Sequence, residues 1–422
     1  MAASYKKLFK LLIDREMKSK DLATKAGVSQ ATIAKLKKDG AIVSSDVLVR
    51  ICTALNCTMD DIMEIVLEKP AVEQDESQGR YKVLDLFCGA GGLSLGFRNA
   101  GFEIVGGVEW DNAAMETHRQ NFKSKFEYCG DIKKITDEEI LRELQGVDVI
   151  IGGPPCQGFS SANRHEKEEN DPRNQLFFEY IRFVKLLKPR VFVIENVKEI
   201  LTKNNGYAKN RIIEITSELG YNVNVEIVLA SDYGVPQNRR RAIFVGVRND
   251  IGERFDFRNL VRVERPVTVY DAIGDICYPE REINNAFLDY ARDYDELRNH
   301  DVVFPNSKVI ERMKHVPQGG NWKDVPTELW DTQRDNRHSS AYRRLRFDEP
   351  SITIDTGHMN YFHPVEHRVP TVRESARLQS FPDSFVFCGN KGEQFRQVGN
   401  AVPPLLSKAI GDEIMMILEE KR

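Results

Sequence analysis

The chain has 422 residues, 41% of them hydrophobic and 29% charged, which is typical of a soluble globular protein with more than one domain. It has no run of about 18 apolar residues and no hydrophobic signal region at its start, so we expect a cytoplasmic protein without a membrane span. Seven cysteines without CxxC spacing argue against a disulfide framework or a zinc site, and a formal net charge of −4 means that any DNA-binding surface must be local.

Residues 1–69 predict a small helical domain, because apolar residues recur at helical spacing between glycine breaks. Within it, Ser19–Ile33 predicts two short helices with a turn at Gly27 and with Ser29 as the N-cap of the second helix. Residues 1–50 carry eleven Lys or Arg against five Asp or Glu, a local positive excess that the net charge of the whole chain hides.

This stretch resembles the helix-turn-helix of phage repressors. The resemblance implies that the second helix enters the major groove of DNA with Gln30, Thr32 and Lys35 facing the bases. A helical bundle that serves only protein contacts or dimerisation remains the open alternative.

Residues 70–80 are polar and have no apolar period, which predicts a linker. After it, Lys82–Phe87 predicts a buried strand, and Cys88–Gly92 predicts a glycine turn that opens a helix. Such a turn is a weak sign of a nucleotide-like ligand when it stands alone.

The next predicted strand ends at Glu109 and Trp110. Glu109 follows Asp85 by 24 positions, close to the spacing of about 20 residues at which an acidic side chain binds ribose hydroxyls in a doubly wound sheet. Trp110 offers an aromatic face to an adenine. Because the glycines are not followed by the Lys and Ser/Thr of a phosphate loop, we expect an adenosine ligand without phosphates.

Strands and helices then alternate to about residue 250. This pattern predicts an α/β fold with a doubly wound, mostly parallel sheet, whose ligand site lies at the carboxyl ends of the strands. Four side chains belong to that edge by position: Asp85, Glu109, Cys156 and Glu195. A turn also places Asp131 where its carboxylate can accept a hydrogen bond from the exocyclic amine of a purine.

The segment Gly152–Ser160 reads GGPPCQGFS and follows a short apolar strand. Its glycines allow close approach of a ligand, and its prolines stiffen the backbone on the way to Cys156. This setting favours a nucleophile over a buried structural cysteine.

Five segments, in this order, resemble the motifs of the cytosine-5 DNA methyltransferases over about residues 80–420: Asp85–Phe97, Gly152–Ser160, Glu195–Val197, Gln237–Arg241 and Gln397–Pro404. The resemblance implies the fold of S-adenosylmethionine-dependent methyltransferases. It also implies transfer of a methyl group from S-adenosylmethionine to carbon 5 of a cytosine flipped out of double-stranded DNA.

The resemblance assigns roles to individual residues. It implies catalytic roles for Cys156, Glu195, Arg239 and Arg241. It implies a cofactor pocket of Phe87, Gly89, Glu109, Trp110, Asp131, Ile132, Pro154, Leu176, Asn400 and Val402, to which its place at the strand ends adds Asp85.

The chemistry explains the catalytic residue types. Carbon 5 of cytosine is a poor nucleophile, so the Cys156 thiolate must first add to carbon 6. Glu195 then neutralises the developing charge, which requires a carboxyl pKa raised by burial. Arg239 and Arg241 alternate in an extended segment, so we expect both to face the flipped base, with a solvated basic turn as the alternative. The sequence does not identify the base that removes the carbon-5 proton.

The alternation of strands and helices stops at 251–345, which is rich in turns and charge and corresponds to the target-recognition domain of the resembling family. Its basic cluster at 334–346 includes Arg343 and Arg344, for which we predict DNA contacts. Gln157, Ser160 or a residue of the region 251–345 is a candidate to fill the stack that a flipped base leaves. Residues 346–422 return to the catalytic domain through a predicted amphipathic helix at 371–382 and a final helix at 404–419. His358, His363 and His367 lack the spacing of a metal site.

The leading hypothesis is therefore a modification methyltransferase of a bacterial restriction-modification system, whose N-terminal domain binds an operator and represses transcription. A tRNA cytosine-5 methyltransferase and a DNA-binding regulator with an inactive catalytic domain are the alternatives. We expect a monomer on the substrate, while dimerisation through the N-terminal domain stays open.

Overall fold

A computed structural model describes residues 2–15, 17–36, 43–66, 81–155, 174–294, 296–330, 342–356 and 361–419. The chain folds as two compact units, Met1–Gly79 and Arg80–Arg422. Each unit has its own hydrophobic core.

The N-terminal unit is a bundle of short helices closed by a two-stranded antiparallel sheet. Gly27 adopts φ +64° after the second helix, and its amide donates to the carbonyl of Thr24, so the chain turns there as the glycine predicted. The elements are β1 Ala2–Ser4, α1 Lys6–Asp14, α2 Ser19–Ala26, α3 Gln30–Lys35, α4 Ser45–Leu55, α5 Met59–Ile62 and β2 Glu64–Val66.

The second unit is built on a mixed sheet that, within the described residues, has seven strands in the order β5-β4-β3-β6-β7-β9-β8. All neighbours are parallel except β9, which runs antiparallel to both β7 and β8. The central strands are apolar and buried on both faces, as a sheet covered by helices requires. The strands are β3 Lys82–Leu86, β4 Glu103–Glu109, β5 Phe126–Cys129, β6 Val149–Gly152, β7 Val191–Val197, β8 Tyr221–Leu229 and β9 Arg240–Arg248.

Helices cover both faces of this sheet and form a separate apolar core on each. Helices α6 and α16 pack closely on one face, because an added Cβ on Gly96 would lie 2.3 Å from Ser407 Cβ. The mostly parallel α/β fold is thus confirmed, and helix α16 matches its predicted bounds. The helices of this part are α6 Gly92–Asn99, α7 Asn112–Phe122, α8 Asp137–Glu143, α9 Gln175–Leu187, α10 Tyr207–Glu218, α15 Lys391–Asn400 and α16 Pro404–Glu419.

The segment after β9 contains more regular structure than its sequence pattern indicated. It holds α11 Val269–Cys277, α12 Ala286–Ala291, α13 Ser307–Lys314, the short strands β10 Arg343–Arg344 and β11 Tyr361–Phe362, and α14 Val372–Leu378. Capping residues begin these helices, with Thr268 and Asn306 accepting from backbone amides of the first turn. Helix α14 lies within the stretch 371–382 that was predicted as one amphipathic helix, but it is shorter, and all of its residues are buried.

Candidate active site

The carboxyl ends of the parallel strands enclose a cavity of about 670 Å³. It lies where the turns after β3, β4, β5 and β6 meet the end of β7 and helix α15. Because parallel strands end at one edge, side chains that are distant in sequence meet there. The predicted cofactor residues that line the cavity are Phe87, Gly89, Glu109, Trp110, Asp131, Ile132, Leu176, Asn400 and Val402.

The glycine turn between β3 and α6 forms one wall of this cavity. Phe87 has φ +60°, an uncommon value for a residue with a side chain, so its surroundings fix the backbone there. An added Cβ on Gly89 would meet no atom within 4 Å, which marks open space along the wall. An added Cβ on Gly92 would lie 2.2 Å from the Val402 carbonyl oxygen, so only glycine lets the C-terminal segment close the cavity.

Glu109 has a carboxylate fixed by three backbone amides. Its Oε2 accepts from the amide of Gly89 at 2.8 Å, and its Oε1 accepts from the amides of Trp110 and Asp111 at 2.8 and 2.9 Å. Trp110 itself is 72% exposed, which leaves its indole open to a ligand. The turn therefore orients an acid beside an accessible aromatic ring, as the sequence predicted.

Two residues of the predicted cofactor set do not line the cavity. Asp85 is fully buried under the glycine turn, where its Oδ2 accepts from Ser94 Oγ at 2.7 Å. Pro154 is buried as well, and its carbonyl oxygen accepts a hydrogen bond from Asn196 Nδ2 at 3.0 Å. Its sequence neighbours Gly153 and Pro155 line the cavity instead. Direct cofactor contact by the Asp85 side chain is therefore corrected, while that of Pro154 stays a prediction.

Helix α15 contributes lining residues that the sequence analysis missed. Glu393, Arg396 and Gln397 precede Asn400 by seven, four and three positions, so all four share one helix face. That spacing was the available signal. Arg396 Nη1 lies 3.6 Å from Asp111 Oδ2, which joins this helix to the start of α7 at the cavity mouth.

Glu195 and Arg241 form an ion pair at the end of β7. Arg241 Nε lies 2.8 Å from Glu195 Oε1, and both side chains are largely buried. Burial raises the pKa of the Glu195 carboxyl, while the positive charges of Arg241 and Arg239 oppose that rise. Glu195 also lines the cavity. A carboxyl with a raised pKa therefore shares this cavity with the residues that were predicted to bind an adenosine, Glu109, Trp110 and Asp131.

Arg239 is almost fully buried and braces the backbone. Its Nη1 and Nη2 donate to the carbonyls of Ile354 and Gly399 at 3.1 and 2.8 Å, and burial lowers the pKa of its guanidinium to about 9. The expectation that it faces the base in the same way as Arg241 is corrected, because its terminal nitrogens are engaged in joining three chain segments.

Cys156, Gln157 and Ser160 lie outside the described residues. Pro155, the last described residue before them, is exposed and lines the cavity. An added Cβ on Gly153 would lie 3.1 Å from Glu195 Oε2, so the backbone passes close to this carboxyl just before Cys156.

The predicted DNA contacts of the recognition region divide into one exposed and one buried arginine. Arg343 is partly exposed. Arg344 is 4% exposed, and its guanidinium donates to carbonyl oxygens of four residues: Met313, Val316, His363 and Glu366. A side chain occupied in this way does not reach DNA, so the prediction for Arg344 is wrong.

In the N-terminal unit, Gln30 and Lys35 are exposed on α3. Thr32 is partly buried, and its amide donates to Ser29 Oγ at 3.0 Å, which caps the helix as predicted. Their contacts with DNA stay predictions.

His363 is buried, and its Nδ1 accepts from the Glu366 amide at 2.9 Å. In the described ranges, no three His, Cys, Asp or Glu side chains come together as a metal site. Over the same ranges, none of the helices combines the length and the apolar character needed to cross a membrane.

Comparison with known proteins gives two family matches. The family described as C-5 cytosine-specific DNA methylase matches residues 81–416, and the Cro/C1-type HTH DNA-binding domain matches residues 7–68. Among curated relatives, the type II methyltransferase M1.HphI of Haemophilus parahaemolyticus is 40% identical over 79% of this chain and 86% of its own length. The type II methyltransferase M.DdeI of Desulfomicrobium norvegicum is 34% identical over 80% and 89%.

Solved structures show the same similarity. A protein of an E. coli prophage, described as a DNA modification methyltransferase, is 29% identical with a TM-score of 0.66, covering 80% of this chain and 99% of that one. Dnmt2 methyltransferase of S. pombe shares the fold at 17% identity and a TM-score of 0.51, with 81% and 99% covered.

Proposed function

The chain belongs to the C-5 cytosine-specific DNA methylase family. We therefore propose that the cavity at the strand ends binds S-adenosylmethionine and that Glu195, paired with Arg241, takes part in methylation of a flipped cytosine. The enzyme is a DNA cytosine-5 methyltransferase, with relatives among type II methyltransferases. We assign it to the modification arm of a restriction-modification system, acting on a short specific DNA sequence in the cytoplasm.

The cavity fits the cofactor by the chemistry of its lining. The Glu109 carboxylate suits ribose hydroxyls, the exposed Trp110 ring suits an adenine, and Asp131 suits its exocyclic amine. The open space along Gly89 leaves room for the methionine part. When bound, the cofactor supplies an electrophilic methyl group on a sulfonium sulfur.

Cys156 and Glu195 activate the cytosine in this proposal. The Cys156 thiolate forms a bond to carbon 6, and the electron pair of the carbon 5–carbon 6 bond becomes available at carbon 5 while ring nitrogen 3 takes the proton of Glu195. After carbon 5 is methylated, it loses its proton to a base, the sulfur–carbon bond breaks, and nitrogen 3 returns its proton to Glu195.

The ion pair with Arg241 suits this proton transfer. Burial favours the protonated form of Glu195, and the Arg241 guanidinium stabilises the carboxylate that remains after the proton has moved. Arg239 contributes by holding the nearby backbone in place through its hydrogen bonds to the carbonyls of Ile354 and Gly399. The observation that carries the proposal is that Glu195 of this buried pair lines the same cavity as Glu109.

The region of residues 251–345 reads the target sequence in this proposal. Arg343 contacts the DNA backbone, and Gln157, Ser160 or a residue of the region 251–345 fills the space that the flipped cytosine leaves. Extruding a base costs a few kcal/mol of stacking, so a side chain in the vacated stack favours the flipped state. On the substrate the enzyme acts as a monomer.

The deciding experiment is methyl transfer from labelled S-adenosylmethionine to plasmid DNA and, separately, to tRNA. Transfer to DNA that is lost in Glu195→Gln supports the proposal. Transfer to tRNA alone would support the substrate alternative, and no transfer to either would support the regulator with an inactive catalytic domain.

The helix-turn-helix supports a second function, repression of transcription from an operator. Such domains place a recognition helix in the major groove and bind two-fold sites as dimers. The double variant Gln30→Ala/Lys35→Ala in the full chain should lose binding to DNA upstream of its own gene and keep plasmid methylation. If methylation falls in parallel with binding, the domain only helps to grip the substrate.

A further inference from the structure

A hydrogen-bonded row of polar side chains runs from β3 to β5 under the glycine turn. Asp85 on β3 accepts from Ser94 Oγ at 2.7 Å, and the same hydroxyl lies 3.2 Å from His118 Nε2. The other ring nitrogen of His118 lies 3.0 Å from Glu127 Oε2 on β5. None of these four side chains lines the cavity, yet Ser94 is in the first turn of α6, where its neighbours Gly92 and Leu93 do.

Close packing fixes this row of side chains. An added Cβ on Gly107 would lie 2.7 Å from His118 Cε1 and 3.1 Å from Cys88 Sγ, and one on Gly91 would lie 2.4 Å from the Phe122 ring. The His118 and Phe122 rings lie 4.5 Å apart between centroids. Because these groups are closely packed, Asp85 is held by its neighbours under the glycine turn.

Within this row of side chains, the Asp85 carboxyl is unusual in its hydrogen bonding and in its pKa. Its Oδ1 is buried and has no hydrogen-bond partner within the described part of the chain. Burial raises the pKa of Asp85 to about 7, with the Ser94 hydrogen bond and His118 opposing the rise and Glu109 adding to it. The other titratable groups that interact with it are Cys88 in the glycine turn and Tyr180 on α9.

We propose that Asp85 acts through its charge, across the glycine turn, to make the cavity prefer S-adenosylmethionine over the demethylated product S-adenosylhomocysteine. This inference rests on the proposed cofactor. The two molecules differ by one methyl group and by the positive charge of the sulfonium. A buried carboxylate attracts that charge more strongly than it would in water, whereas a protonated carboxyl does not.

The pH dependence follows from the sign of the interaction. Below about pH 6, Asp85 is protonated and the preference for the charged cofactor is smallest. As pH rises through about 7, the carboxyl ionises and the preference grows. By linkage, binding of the cation releases protons from Asp85, and binding of the neutral product does not.

The test is calorimetric binding of both molecules to the full chain between pH 5.5 and 7.5. Both ligands carry an amino group that begins to titrate near the upper end of this range, so the two association constants are compared with each other at every pH. In the wild type, the ratio of the two association constants should rise roughly fivefold across the range, with proton release on binding of S-adenosylmethionine. In Asp85→Asn the ratio should stay at its low, acid-side value.

Two further variants separate the charge effect from a structural one. Ser94→Ala removes the hydrogen bond that lowers the Asp85 pKa, so the rise in the ratio should move to higher pH. Glu413→Gln also replaces a buried carboxyl of the same unit, but it bonds Asn259 and lies outside the cavity lining, so the ratio should follow the wild type.

A wild-type ratio that does not change with pH overturns the inference even if Asp85→Asn fails to fold. Equal weakening of both ligands in Asp85→Asn, with the pH-dependent ratio kept, also overturns it, because a structural role predicts that result. If neither molecule binds to the wild type, the proposed cofactor itself fails.

Discussion

The cofactor edge of the sheet and the region around α13 and α14 use charged side chains in opposite ways. At the sheet edge, Glu109 is fixed by backbone amides so that it lines a cavity. In the other region, buried arginines point inward, and Arg344 and Arg373 donate to backbone carbonyls. The residue type is therefore a poor guide to direction, whereas a strand end or a glycine turn is a good one.

The largest effect on the reacting edge is expected from Glu195→Gln. An amide cannot transfer a proton to the base, so kcat for methyl transfer should fall by about 10²- to 10⁴-fold. Binding of S-adenosylmethionine, measured by calorimetry, should change little. Glu199→Gln is the matched control, because it replaces an exposed acid four residues later.

The pH profile of kcat/KM tests the same carboxyl. Burial raises the Glu195 pKa, and the protonated form is the active one, so activity is present below that pKa and falls as pH rises through it. The alkaline limb should disappear from the residual activity of Glu195→Gln. An unchanged limb would show that another group titrates there.

In the region around α13 and α14, the adjacent arginines of β10 differ most in burial, since Arg344 is buried and Arg343 is partly exposed. Arg344→Met leaves several buried carbonyls without donors and should lower the free energy of unfolding by about 3 kcal/mol. Arg343→Met should change it by less than about 0.5 kcal/mol.

DNA affinity should distinguish the Arg343 and Arg344 variants in the opposite sense, with the larger effect at Arg343. If Arg343 contacts a phosphate, its loss should reduce the slope of log affinity against log salt by about one. Equal stability losses for the two variants in denaturant titrations would contradict the division into an inward and an outward arginine.

Glu109→Gln tests the cofactor edge with a smaller change. An amide nitrogen in place of one carboxylate oxygen would face backbone N–H donors, so affinity for S-adenosylmethionine should fall about tenfold. Affinity for DNA should stay the same. Glu103→Gln, at the other end of β4, is the control and should bind the cofactor like the wild type.

The smallest effect is expected at Arg396, whose ion pair with Asp111 is about half exposed. Exposed pairs contribute little, so Arg396→Met should raise KM for the cofactor only about twofold to threefold. Lys391→Met on the same helix, outside the cavity lining, should leave KM unchanged. A tenfold rise for Arg396→Met would mean that its guanidinium contacts the ligand.

The sequence predicted those parts in which local chemistry dictates geometry. The αL turn at Gly27, the strand-end Glu109 and the fixed pattern of strands and helices follow from short-range rules that one segment obeys alone. Most of the candidate cofactor residues line one cavity for this reason.

Tertiary contacts decided the rest. Whether Asp85 points into the cavity or under it depends on Ser94 and His118 from other elements. The inward direction of Arg344 depends on carbonyls up to 31 positions away in sequence. No local pattern carries that information, so a basic cluster alone could not separate a brace from a DNA contact.

The most direct test of the central claim, that the strand-end cavity and Cys156 serve methylation of cytosine in DNA, compares wild type with Cys156→Ala. Plasmid DNA is incubated with S-adenosylmethionine and each protein and is then analysed by bisulfite sequencing. We expect methylated cytosines in one short repeated sequence for the wild type and none for the variant. Undiminished methylation by Cys156→Ala, or none by the wild type, would contradict it.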